Sequence, residues 1–146
     1  MNSNLLSNTE RLKFHHVGVI SSDIAGETKQ WAVLGYHPEG EEFMDSVQGV
    51  RGLFLAGQSP RLELLSPLAT QGVLEPWMKS KAKLYHLGYQ TPDLPQAIAE
   101  LRGCGGKLVV NPVPAVAFAG RQIAFVMLPN MMLVELIETV CNEGIR

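Results

Sequence analysis

Tyr85-His86-Leu87-Gly88-Tyr89-Gln90-Thr91-Pro92-Asp93-Leu94 restates, 70 residues on, the stretch His15-His16-Val17-Gly18-Val19-Ile20-Ser21-Ser22-Asp23-Ile24. At that offset His16 falls on His86, Gly18 on Gly88, Asp23 on Asp93 and Gly35 on Gly105. Phe54 falls on Phe125 at an offset of 71, and Arg61-Leu62-Glu63-Leu64-Leu65 meets Met132-Leu133-Val134-Glu135-Leu136-Ile137 with Glu63 on Glu135 at 72. A drift of one or two residues fits small loop insertions between matching elements. Solenoid units run about 20 to 50 residues, so this longer period means two copies of one small supersecondary module.

Each copy reads the same way. Residues 14–20 are apolar or aromatic with two histidines and a glycine, a strand bounded by Ser21-Ser22-Asp23. Asp23 is the expected N-cap of an amphipathic helix over 23–34, with Ile24, Thr28, Trp31 and Ala32 at helical spacing and Gly35 ending it. Residues 37–45, carrying Pro38, Gly40 and a run of acids, read as a loop. A strand over 47–56, a turn at Gly57-Gln58-Ser59-Pro60 and a returning strand over 61–65 follow. Residues 70–82 form a linker helix with Val73, Leu74, Trp77 and Met78 on one face.

The second copy offers a strand over 83–90 and a helix with a capping box at Asp93 and Gln96, closed by Gly103, Gly105 and Gly106. Strands over 107–111, 121–128 and 131–137 complete it. The expected fold class is α+β: two tandem βαβββ modules, about 14–68 and 83–138, related by a pseudo-twofold. Such modules would form a curved mixed sheet around a cavity.

Composition narrows the function. A chain of 146 residues is the size of one domain and needs no disulfide or structural metal to bury a core. Twelve basic and 14 acidic residues give a net charge of −2 without a basic cluster, so nucleic acid is not an expected partner. No apolar run approaches the roughly 20 residues that span a bilayer, so no membrane partner is expected either, and residues 1–12 read as a polar tail without a signal segment. Cys104 and Cys141 stand in no metal or redox spacing and suggest reduced thiols in a cytoplasmic setting.

The chemistry rests on one histidine in the first strand and one glutamate in the last strand of each module, His16 with Glu63 and His86 with Glu135. A lone histidine or a lone glutamate in an apolar strand is usually structural. Both members recurring at matched positions changes that, because a carboxylate flanked by Leu62 and Leu64, or by Val134 and Leu136, is costly to bury without a partner. Two imidazoles and two carboxylates converging on one point suit a single divalent ion, Zn, Mn, Co, Ni or Fe, with one or two positions left open. His15 and His37 align with Tyr85 and Lys107 and are left out of the site.

With these residues in view, the chain resembles the vicinal oxygen chelate superfamily, which includes glyoxalase I, extradiol dioxygenases, methylmalonyl-CoA epimerase and bleomycin-resistance proteins. The resemblance covers 14–138 and is nearest to the epimerase-like branch, through Phe14-His15-His16-Val17-Gly18-Val19, Leu62-Glu63-Leu64-Leu65-Ser66-Pro67-Leu68, Tyr85-His86-Leu87-Gly88, Ala124-Phe125 and Val134-Glu135-Leu136. It implies metal ligands at His16, Glu63, His86 and Glu135. It implies also a lyase or isomerase that acts on a small oxygenated carbonyl or carboxylate through a metal-stabilised enolate, with Glu135 first and Glu63 second as the proton-moving carboxylate.

Two departures accompany the resemblance. The epimerase base would align near Gly52, which cannot move a proton, and Pro129-Asn130-Met131-Met132 replaces a more glycine-rich, basic loop associated with coenzyme A. Strand parity puts Val50, Gly52 and Phe54 on one face, likewise Arg121, Ile123 and Phe125, and sets Gln90 on the side of His86. The expected pocket is apolar, walled by Phe54 and Phe125 and anchored by Arg121 and Gln90. A non-catalytic cup that sequesters a small molecule is the alternative, and a homodimer is the expected assembly because open sheet edges need cover.

Overall fold

A computed structural model describes residues 11–68 and 72–139. The polar-tail reading of 1–12 and the thiol at Cys141 fall wholly or mostly outside these residues. The fold is α+β, with nine strands among the described residues. The chain divides into two compact units, His16–His86 and the remainder, which joins residues up to His15 with those from Leu87 onward.

In the unit His16–His86, β1 (Lys13–Ile20), which begins in the other unit, leads to α1 (Ile24–Ala32). The Asp23 carboxylate accepts from the Gly26 amide, an N-cap of the kind worth about 1 kcal/mol. Two short strands, β2 (His37–Pro38) and β3 (Phe43–Asp45), pair antiparallel with β4 (Val50–Ala56). β4 pairs antiparallel with β5 (Leu62–Pro67), and β5 lies parallel to β1.

The segment expected to be a loop thus contributes two edge strands, separated by the Glu39-Gly40-Glu41-Glu42 bend. The strand expected from residue 47 starts at Val50 instead. Asp45 is the cause: its carboxylate accepts from the amides of Val47 and Gln48, and its carbonyl from Gly49, holding a turn that Gly49 closes at φ 72°. The expected linker helix is a five-residue α2 (Glu75–Lys79), short of the 70–82 expectation at both ends.

The second unit has the same plan. β6 (Leu84–Thr91), which begins in the first unit, runs into α3 (Leu94–Gly103), capped by Asp93 through the Gln96 amide. The capping box is half made, because the Gln96 side chain donates to Glu100. β7 (Lys107–Pro114) pairs antiparallel with β8 (Gln122–Met127), β8 with β9 (Leu133–Glu138), and β9 lies parallel to β6. β7 runs three residues past the expected end. Its prolines Pro112 and Pro114 are tolerated beside register shifts on a strand whose one partner among the described residues is β8.

Each unit buries one sheet face under its helix. Val17, Val19, Leu53, Leu55, Leu62 and Leu64 pack with Ile24 and Trp31. Ala124, Val126, Val134 and Leu136 pack with Leu94, Ala97 and Ile98. Fully buried leucines such as Leu55 and Leu64 contribute about 1.5–3 kcal/mol each. Alternation leaves His16, Glu63, Gly52 and Phe54 on the other face of the first unit, and Glu135, Ile123 and Phe125 on the other face of the second.

Candidate metal centre

The registers show how the duplicated residues are placed. In the first unit Glu63 stands beside Gly18 across the parallel β1–β5 pair and beside Phe54 across the antiparallel β4–β5 pair. In the second, Glu135 stands beside Gly88 and Phe125 in the equivalent pairs. Two-residue periodicity makes this strict: a slip of one residue would turn either carboxylate into the helix-side core.

His16, Glu63 and His86 come together within the unit His16–His86. His16 Nε2 lies 3.0 Å from Glu63 Oε1, and His86 Nε2 lies 3.3 Å from the same oxygen. The two Nε2 atoms are 2.8 Å apart. The side chains are all but sealed from solvent, at 0, 4 and 1 % exposure for His16, Glu63 and His86. Glu135 is equally buried, at 3 %.

Burial alone would raise the Glu63 carboxyl pKa, but the charges and hydrogen bonds of His16 and His86 outweigh it and hold it near 2. Glu63 is therefore ionised and accepts only. Of two imidazole nitrogens in hydrogen-bond contact, one must carry a hydrogen.

This donor set fits a divalent cation. Two nitrogens and one carboxylate oxygen form a triangle with edges near 3 Å, the spacing of donors that share one ion at bonds of about 2.0–2.2 Å. The backbone is cut to admit it. A Cβ on Gly18 would overlap the His86 ring, coming within 2.8 Å of Nε2, so only glycine at 18 lets that imidazole lie against β1. Tyr85 meets the His86 ring edge-on at 4.7 Å, and Trp77 of α2 meets Tyr85 at 5.3 Å, so the short helix braces the histidine from behind.

The remaining expected residues sort by unit. Phe54 stands edge-on to His16 at 5.6 Å and beside Phe43 at 5.9 Å. Phe43, absent from the sequence reading, lies over Gly52, its cross-strand partner, so closely that a Cβ there would overlap its ring. Phe125 is buried on the face of Glu135. Gln90 lines a cavity of about 280 Å³ with Arg11, Lys13, Pro92 and Thr139. Arg121 donates from Nε to the Phe118 carbonyl, its guanidinium 5.9 Å from the Phe118 ring centre. His15 packs on Phe118 at 5.4 Å, and His37 is exposed on β2.

Residues 15–125 match the family model of the glyoxalase/bleomycin resistance protein/dioxygenase superfamily, and the chain belongs to that family. Solved structures share the fold. Methylmalonyl-CoA epimerase from Mycobacterium tuberculosis is 22 % identical with a TM-score of 0.74, over 92 % of either chain. A variant of the Streptomyces coelicolor methylmalonyl-CoA epimerase in complex with 2-nitronate-propionyl-CoA is 20 % identical with a TM-score of 0.74, over 89 % of this chain and 99 % of that one. A hypothetical protein from Bacillus halodurans C-125 is 23 % identical with a TM-score of 0.74, over 88 % of this chain and 94 % of that one. No protein of curated function matches significantly. Among the described residues no helix is long and apolar enough to cross a membrane.

Proposed function

We propose that the chain is a metal-dependent isomerase or lyase of the glyoxalase or epimerase type, acting on a small oxygenated carbonyl or carboxylate compound. The observation that carries this reading is the sealed triangle of His16, Glu63 and His86, with Gly18 shaped to receive the His86 ring. Glu135 is the proposed fourth ligand, supported by its burial and by a strand register identical to that of Glu63.

His16 and His86 would bind through Nε2 as neutral imidazoles, and Glu63, ionised throughout the physiological range, would supply negative charge. A divalent ion held by these residues would supply Lewis-acid polarisation of the substrate carbonyl. Glu135 is the proposed proton carrier, taking a proton from the carbon next to the polarised carbonyl and returning it, with Glu63 second in that role. Phe54 and Phe125, the cross-strand neighbours of the two glutamates, would keep water from the reacting carbon. Arg121 and Gln90 are the proposed polar anchors. A homodimer is the proposed assembly, checked by light scattering.

The test is solvent exchange of the substrate proton. Methylmalonyl-CoA and the hemithioacetal of methylglyoxal and glutathione are incubated in D2O with the protein loaded in turn with Mn, Co, Ni or Zn. Metal-dependent deuterium incorporation or isomerisation, lost in Glu135→Gln, is expected. Binding without exchange by any metal form would favour a second reading, a cup that holds a small molecule without transforming it. That reading is favoured by Gly52, where a ring rather than a second proton-moving group occupies the wall.

A further inference from the structure

We infer that Phe43 is the specificity-determining residue of this site, and that the compound bound carries an apolar, planar substituent next to its chelating oxygens. The inference rests on the metal-site reading and adds to it the class of substrate.

The face of β4 shared with His16 and Glu63 presents Val50, Gly52 and Phe54. Gly52 has no side chain, and the space above its Cα is filled from β3 by the Phe43 ring, which a Cβ would overlap. Phe43 and Phe54 are tilted by only 35° with centres 5.9 Å apart, and Phe54 continues to the edge of the His16 ring at 5.6 Å. A nearly continuous aromatic surface therefore starts beside a metal ligand and runs outward along β3 and β4.

Both rings keep part of their surface open, while their polar neighbours are turned away or used. Met44 and Arg51 point to solvent, and Asp45 is buried in the turn it caps. The described side chains of β3 and β4 on this wall, Phe43, Val50 and Phe54, are hydrocarbon and carry no group that moves a proton. A polar or charged group placed against it would lose its water without gaining a partner, whereas a planar apolar group gains ring contact and area.

The experiment uses the Co(II)-loaded protein, whose visible absorption reports chelation directly, titrated with three 2-oxo acids that share one chelating end: pyruvate, 4-methyl-2-oxopentanoate and phenylpyruvate. The wild type is expected to bind phenylpyruvate about tenfold more tightly than pyruvate. Phe43→Ala is expected to abolish the difference, and Phe43→Leu to shift the preference to 4-methyl-2-oxopentanoate. Should Phe43→Ala fail to fold, as read from its thermal melt, the Leu variant decides. Equal affinities in the wild type, or a phenylpyruvate preference unchanged in the variants, would overturn the inference while leaving the metal site intact. No spectral change with any of the three acids would overturn the chelation reading and the inference with it.

Discussion

The imidazole of His86 lies against the backbone of Gly18, where a single added methyl group would stand 2.8 Å from Nε2. Gly18→Ala should therefore push the ring out of the donor triangle without removing any ligand. A loss of about 10- to 100-fold in metal affinity is expected, measured by competition with a chromophoric chelator. Unchanged affinity would show that His86 reaches the ion from another direction.

The two adjacent histidines of β1 should behave oppositely. His16 is sealed beside Glu63, whereas His15 packs on Phe118. His16→Ala is expected to abolish stoichiometric metal uptake and His15→Ala to leave it intact, read by elemental analysis after dialysis. Equal losses would mean that the ligand on this strand has been misassigned.

Glu63 makes the metal-free protein acid-sensitive. Its folded-state pKa lies near 2, below the ordinary 4.5, so its stabilising contribution is complete above about 4.5 and is lost as pH falls toward about 2. The wild-type melting temperature should drop through that window more steeply than that of Glu63→Gln, in chelator-treated protein followed by circular dichroism. Parallel curves would mean that the carboxylate is not held by the histidines.

Gly52 and Phe43 should be coupled. Gly52→Ala forces a Cβ into the Phe43 ring and is expected to cost about 1–3 kcal/mol. In Phe43→Ala the same change should cost much less, a coupling of at least about 0.5 kcal/mol in a double-mutant cycle by urea denaturation. Additive costs would place the ring elsewhere.

The 70-residue repeat made the strands, the helices and the paired glutamates legible because each depends on short-range pattern: alternation in β1 and β6, an N-cap at Asp23 and Asp93, and a carboxylate isolated between apolar residues. What escaped the sequence reading depends on contacts between segments distant in the chain. β2 and β3 are strands because β4 offers them a free edge, and the acidic bend between them reads as loop by composition alone. Val47 has strand propensity, yet Asp45 claims its amide. Gly18 and Gly88 were visible as a repeated His-x-Gly spacing, but the reason for glycine at 18 is a ring arriving from residue 86. Phe43 carried no signal at all, standing beside an acidic run with no counterpart in the second module.

The most direct measurement is the metal content of protein purified without chelator or nickel affinity resin, compared with that of the His16→Ala, His86→Ala double variant and of Glu135→Gln. The account predicts about one divalent ion per chain in the wild type, none in the double variant and weakened retention in Glu135→Gln. A wild-type protein that holds no metal and takes up none on dialysis against Mn, Co, Ni or Zn would contradict it.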